Sequence, residues 1–216
     1  GMNGMSHIFH ELYRSRLAHG VWRDKVCPIL INNWEATYFD FDEDKLVKIA
    51  SKAQEAGVEL FVLDDGWFST RRDDYHGLGD WSPNKELLPN GITGLAQRIN
   101  DMGMKFGLWV ELEMVNKDTP IYQEHPDWII HVPGRKQSHG RNQYVLDFSR
   151  PEVVDYIHDA IYKVLSTADI SYIKWDMNRS ITECGSAGWP AAQQGEIFHR
   201  YILGVYDLYE RLTSEF

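Results

Sequence analysis

Four short apolar runs, each turning polar at its C-terminal end, alternate with stretches in which apolar residues recur at helical spacing. The runs cover 28–34, 58–67, 105–113 and 170–179, and their length and apolar content predict strands. Between the first two, Leu46, Val47, Ile49, Ala50 and Ala53 form a 3.6-residue stripe. Asp42, Glu43 and Asp44 give that helix an acidic first turn, which suits the positive helix N-terminus, and Gly57 ends it. A second helix is predicted over 92–104. A third starts near Ser149 as N-cap with Pro151 in its first turn, and its stripe is Val153, Val154, Ile157, Ile161, Val164 and Leu165. A fourth covers 191–212. The stretch 115–143 is a long insertion rich in His, Pro, Gly and Arg, and 144–148 is a small extra strand. Residues 1–23 form a polar-aromatic lead-in with a helix over 7–16.

Strand followed by helix, four times, without strand-to-strand hairpins, implies parallel strands joined by right-handed crossovers. Sites in such folds lie at the C-terminal strand ends. No Gly-rich turn follows the first strand, and neither GxGxxG nor GxxxxGK[ST] occurs, which disfavours a nucleotide-binding doubly wound sheet. The expected fold class is α/β, a (β/α) TIM-barrel type with about four βα units. Residues 24–216 are then the first half of a (β/α)8 domain.

The strand over 170–179 carries the sharpest chemical signal. Side chains alternate along a strand, so Tyr172, Lys174, Asp176 and Asn178 share one face, and Ile173, Trp175 and Met177 the other. A cation, a carboxylate and an amide at two-residue spacing read either as a site or as a strand-end Lys174–Asp176 salt bridge. The other strand ends add Trp34, Asp64, Asp65, Trp109, Glu111 and Glu113. Asp64 and Asp65 suit sugar hydroxyls, and read equally as an N-cap plus a surface carboxylate. Glu111 and Glu113 read as structural acceptors for loop amides or an Arg.

A net charge of −10 argues against nucleic acid or anionic membrane as partner. Most of the eight Trp and eleven Tyr read as ordinary core aromatics, and the excess mildly favours a carbohydrate site. Cys27 and Cys184 fit no metal spacing and read as reduced cytoplasmic thiols, Cys184 as an inert one beside the site. His7 and His10 read as surface residues, and without HExxH or CxxC neither metal nor cofactor is expected. Several carboxylates among aromatics suit glycoside hydrolysis, which needs an ionised nucleophile and a carboxyl proton donor.

From about Trp22 onward the chain resembles the α-galactosidases of glycoside hydrolase family 36. The resemblance rests on the ordered blocks ILINNWEATYFDF, FVLDDGWF, GDW, FGLWVELEMV, HPDW, GRNQYVLDFSRPEV and IKWDMNR. It implies hydrolysis of terminal α-linked galactose from melibiose- or raffinose-type oligosaccharides, with retention of configuration. It implies Asp176 as nucleophile, and Lys174 and Asn178 as binders of galactose hydroxyls. Asp64 and Asp65 hold the far side of the sugar, Trp34 and Trp109 wall the pocket, and Arg141 sits at its rim. Leu112 stands where the family's W-F-E-P-E-M block has Pro, which bears on the local strand-end shape. The family's acid/base Asp follows a Cys- and Gly-rich segment beyond the next strand, and no residue of this chain matches it. The expectation is a nucleophile half that is poorly active alone. The alternatives are a non-catalytic galactoside-binding module and a half-barrel that pairs with a second copy through its exposed edges.

Overall fold

A computed structural model describes residues 1–183 and 185–216; Cys184 therefore lies outside the described residues. The strands are β1 (Leu30–Asn32), β2 (Leu60–Leu63), β3 (Lys105–Val110), β4 (Met114–Val115), β5 (Tyr144–Val145) and β6 (Tyr172–Trp175). The α-helices are α1 (Met2–Leu12), α2 (Trp34–Thr37), α3 (Glu43–Glu55), α4 (Gly91–Asp101), α5 (Pro120–Glu124), α6 (Pro151–Leu165) and α7 (Ile197–Glu215).

β1, β2, β3 and β6 form one parallel sheet in that order, each strand beside the next main strand in the chain. The α/β class and the parallel crossovers are as expected. Among the described residues the sheet is open, with β1 and β6 at its edges, and no closed barrel is seen. No helix among them is long and apolar enough to cross a membrane.

The register sets what happens at the strand ends. Val62 pairs with Gly107 and Gly107 with Tyr172, so these three share a row on one face. Two residues further on, Asp64, Trp109 and Lys174 occupy the next row of that face. Gly107 makes the close approach possible: a Cβ there would lie 2.9 Å from Val62 Cγ2 and 3.1 Å from Tyr172 Cδ1. On the opposite face Phe61, Leu63, Phe106, Leu108 and Val110 join the core with Leu46 of α3, Leu95 of α4 and Ile157 of α6. Every stripe residue named for α6 is buried.

Local chemistry explains the element ends. Asp42 caps α3 by accepting the Lys45 N–H at 2.8 Å. Glu43, in the first turn, is buried and ion-paired with Arg98 of α4 at 2.7 Å. Gly57, at φ +88°, follows the end of α3.

Four expectations change. The chain does contain one antiparallel pair, β4 with β5, which folds the 116–143 insertion back onto the end of β3. Ser149 does not cap α6. Pro151 forces the preceding residue into extended backbone, so Arg150 (φ −101°, ψ 119°) becomes the N-cap residue. The Ser149 hydroxyl instead bonds Asp147 and accepts the Trp189 Nε1–H. The last helix begins at Ile197, because 191–196 wind as a 3₁₀ turn. The lead-in helix runs from Met2 and continues as a π-turn over Tyr13–Leu17, burying no residue.

Candidate active site

The site grows out of the end of β6. After Trp175 the backbone leaves the ladder in three successive N–H bonds. Asp176 N–H donates to Val110 O at 2.8 Å, continuing the sheet. Met177 N–H turns back to Asp176 Oδ1 at 3.0 Å, and Asn178 N–H reaches Glu111 Oε1. Asp176 Oδ2 then receives Asn178 Nδ2–H at 3.0 Å and Trp109 Nε1–H at 3.1 Å. Partial burial pushes the Asp176 carboxyl up. The bonds from Asn178, Trp109 and the Met177 N–H, with the field of Lys174, outweigh it and hold the carboxyl below its usual value. Asp176 is thus an ionised carboxylate, fixed by three donors and still partly open to solvent.

Lys174 does not pair with Asp176. Its Nζ lies 2.8 Å from Asp64 Oδ2, because the register puts Lys174 in the row of Trp109 and Asp64. Residues two apart along one strand are separated by about 6.6 Å of rise. Asp64 and Asp65 are both buried, so the reading as N-cap and surface carboxylate fails. The Asp64 carboxylate accepts Asp65 N–H at 2.9 Å, and the Asp64 N–H is held by Asn33 Oδ1 at 2.9 Å. Asp65 is gripped by Arg71 through Nε at 3.0 Å and Nη2 at 2.8 Å. Burial still raises the Asp65 pKa against that pairing.

The aromatic residues differ in what they do. Trp109 is 1% exposed and stacks on Phe68 with centroids 6.1 Å apart. Its carbonyl accepts Trp67 Nε1–H at 2.9 Å, and its indole N–H donates to Asp176. Trp34 opens α2 beside β1, is partly exposed, and packs edge-on with Tyr38 and Phe39. Arg141 stands apart: it is exposed, has φ +51°, and pairs with Asp74 at 3.0 Å. It makes no hydrogen bond to the Asp176 cluster among the described residues.

Glu111 and Glu113 are acceptors, as expected from the sequence, although neither meets an Arg. Glu113 receives Trp175 Nε1–H at 3.1 Å and the Tyr201 hydroxyl, tying β3 and β6 to α7. Glu111 receives the Asn178 N–H and, at 3.3 Å, Gln143 Nε2–H. Burial pushes the Glu111 carboxyl up to about 7. Asn33, Arg71, Gln143 and Tyr201 were not identified from the sequence as site residues. Their partners lie on other elements, or six residues away in a loop for Arg71, and no spacing rule covers such pairs. His7 and His10 stack at 6.3 Å on exposed α1. Among the described residues no three His, Cys, Asp or Glu side chains are arranged to hold a metal ion. Two surface clefts lie elsewhere, one beside Trp81, Tyr156 and Lys163 and one beside Trp22, Val58 and Lys105.

An ionised carboxylate held by three donors, next to the ion pair of half-buried Lys174 with buried Asp64, suits nucleophilic displacement on a hydroxyl-rich substrate. The Melibiase family model matches residues 1–216. The chain is 57% identical over its whole length to α-galactosidase AgaA of Geobacillus stearothermophilus. It superposes on the crystal structure of GH36 α-galactosidase AgaB from that organism with a TM-score of 0.96 at 58% identity, covering 100% of this chain. An AgaA variant crystallised in complex with raffinose matches with a TM-score of 0.95 at 57% identity, again over the whole chain. In each case the chain spans about 30% of the relative's length. The 216 residues belong to the melibiase family, the GH36 α-galactosidases.

Proposed function

We propose that Asp176 is the nucleophile of a retaining α-galactosidase. It forms a covalent galactosyl ester while terminal α-linked galactose is released from raffinose- or melibiose-type oligosaccharides. The observation that carries this reading is the grip on Asp176: three donors keep it ionised and in one orientation while one side stays accessible. Lys174 and Asp64, locked together at 2.8 Å, are placed to bind adjacent galactose hydroxyls, and Asn178 adds an amide. Asp65 holds its share of the sugar with the lone pairs Arg71 leaves free. Trp34 offers an aromatic wall, and Arg141 a rim contact once it parts from Asp74. Trp109 serves the nucleophile through its N–H, since its buried ring has little face left for a sugar. The raffinose complex of the AgaA variant supports the substrate class.

The proton donor is assigned to no residue of these 216. Glu111 and Glu113 are already engaged in holding the strand ends. Residues 24–216 are read as the first half of a (β/α)8 domain, with 1–23 as a lead-in. The open edges at β1 and β6 support this, as do the exposed Phe198, Ile202, Leu203 and Tyr206 on α7. Closure of that half by a second copy is the competing arrangement; native mass spectrometry at micromolar concentration tests it, and a strictly monomeric mass would exclude it. A cytoplasmic setting belongs to this reading and is supported by the free, exposed Cys27 thiol.

The test follows raffinose hydrolysis by proton NMR, using the intact protein that carries these residues. α-Galactose as the first-formed anomer, and its loss in Asp176→Asn, support the proposal. β-Galactose first, or full activity of the variant, contradicts it.

A further inference from the structure

Resting on that reading, we propose that Glu111 is a positioning residue for the nucleophile. Its buried carboxylate clamps the Asn178 backbone N–H and so holds the 176–178 turn in the conformation that grips Asp176.

The backbone accounting leads there. β6 is an edge strand, and beyond Trp175 only one further N–H, that of Asp176, reaches the sheet. The Met177 N–H is used on Asp176 itself. The Asn178 N–H would otherwise be an orphan donor in a partly buried turn. Glu111 is fully buried two residues past Trp109, and its Oε1 lies 2.5 Å from that nitrogen. Fixing the Asn178 backbone fixes its side chain, whose Nδ2 donates to Asp176 Oδ2. Trp109 and Glu111, two apart at one strand end, thus hold Asp176 from one side and the turn behind it from the other.

A neutral amide could satisfy the Asn178 N–H at lower desolvation cost. The carboxyl is kept despite burial and the nearby Asp176 charge, both of which push its pKa up; Arg71 opposes them from the loop after β2. Gln143, from the insertion, faces its other oxygen. The Gln143 Oε1 is buried without a donor among the described residues, so a proton arriving on Glu111 has an acceptor beside it after an amide flip. With its pKa raised to about 7 by burial, the Glu111 carboxyl changes charge near neutrality. The charged state holds the turn harder, since hydrogen bonds to ions are the stronger ones.

The experiment measures pre-steady-state nitrophenol release from nitrophenyl α-galactoside between pH 5 and 9, on the intact protein carrying these residues. Nitrophenolate leaves without a proton, so the first step is isolated. The wild-type rate rises through pH about 7. Glu111→Gln, which keeps the acceptor but not the charge, runs at the wild-type low-pH rate and lacks that rise. Glu111→Ala loses kcat on the order of 10²-fold with KM nearly unchanged, as expected for a misplaced reacting group. A Glu111→Gln profile that keeps the wild-type inflection, or an Ala variant with wild-type kcat, overturns the proposal. Release that survives Asp176→Asn overturns the nucleophile assignment beneath it.

Discussion

Arg71→Met is the substitution whose consequence can be worked most fully from the structure. Arg71 and Asp65 have side chains 1% and 7% exposed, with the guanidinium fork across both carboxylate oxygens. Breaking a buried pair by removing one partner costs about 3–5 kcal/mol, because the remaining charge is left uncompensated. The variant also loses the Nη1 bond to His76 O at 3.1 Å, worth about 1 kcal/mol. A total near 5 kcal/mol approaches the lower end of the stability of a whole domain, about 5–15 kcal/mol. The deficit depends on pH. Burial already raises the Asp65 pKa with Arg71 present, and removing Arg71 raises it further. A carboxyl whose folded pKa is raised carries no penalty below its unfolded pKa of about 4 and an increasing one as pH climbs toward the folded value. Arg71→Met is therefore less destabilised at pH 5 than at pH 8. Arg71→Met with Asp65→Asn recovers most of the loss, since the orphan is then neutral. Urea unfolding of wild type, Arg71→Met, Asp65→Asn and the double variant at both pH values measures this. A deficit below about 1 kcal/mol at pH 8, or no recovery in the double variant, refutes the reasoning.

Gly204→Ala should destabilise by about 1–3 kcal/mol in thermal unfolding, because its Cβ runs into the Phe148 carbonyl in the connection between β5 and α6. Gly107→Ala should cost a similar amount by wedging Val62 from Tyr172. Tyr201→Phe leaves buried Glu113 with the Trp175 N–H alone and should cost about 1–3 kcal/mol, read as a lower urea midpoint with an unchanged slope. Glu111, raised from 4.5 to about 7, binds more protons folded than unfolded across that window, so its contribution to stability falls as pH rises from 4.5 to 7. The loss amounts to about 3 kcal/mol. Relative to wild type, Glu111→Gln should gain stability as pH rises from 5 to 8.

The sequence made the parallel strands, the α3 start at Asp42 and the α6 stripe legible because each follows from periodicity or a local cap. The charged β6 face was equally legible, since alternation alone puts Lys174, Asp176 and Asn178 together. Who pairs with whom was not, because that depends on register. Lys174 reaches Asp64, 110 residues away, only because Val62, Gly107 and Tyr172 align in one row. Nor could it show that the Trp109 ring is buried, which turns an expected pocket wall into a donor for the nucleophile. Ser149 failed as a cap because Pro151 fixes its neighbour's backbone, and the hairpin of β4 and β5 was masked by 28 intervening residues, 116–143.

The central claim is that Asp176 is the nucleophile, and intact-protein mass spectrometry after incubation with nitrophenyl α-galactoside tests it most directly. The account predicts a species heavier by one galactosyl group, mapped to the peptide that carries Asp176 and missing in Asp176→Asn. An adduct on another residue, or nitrophenol release with no adduct that persists unchanged in Asp176→Asn, would contradict it.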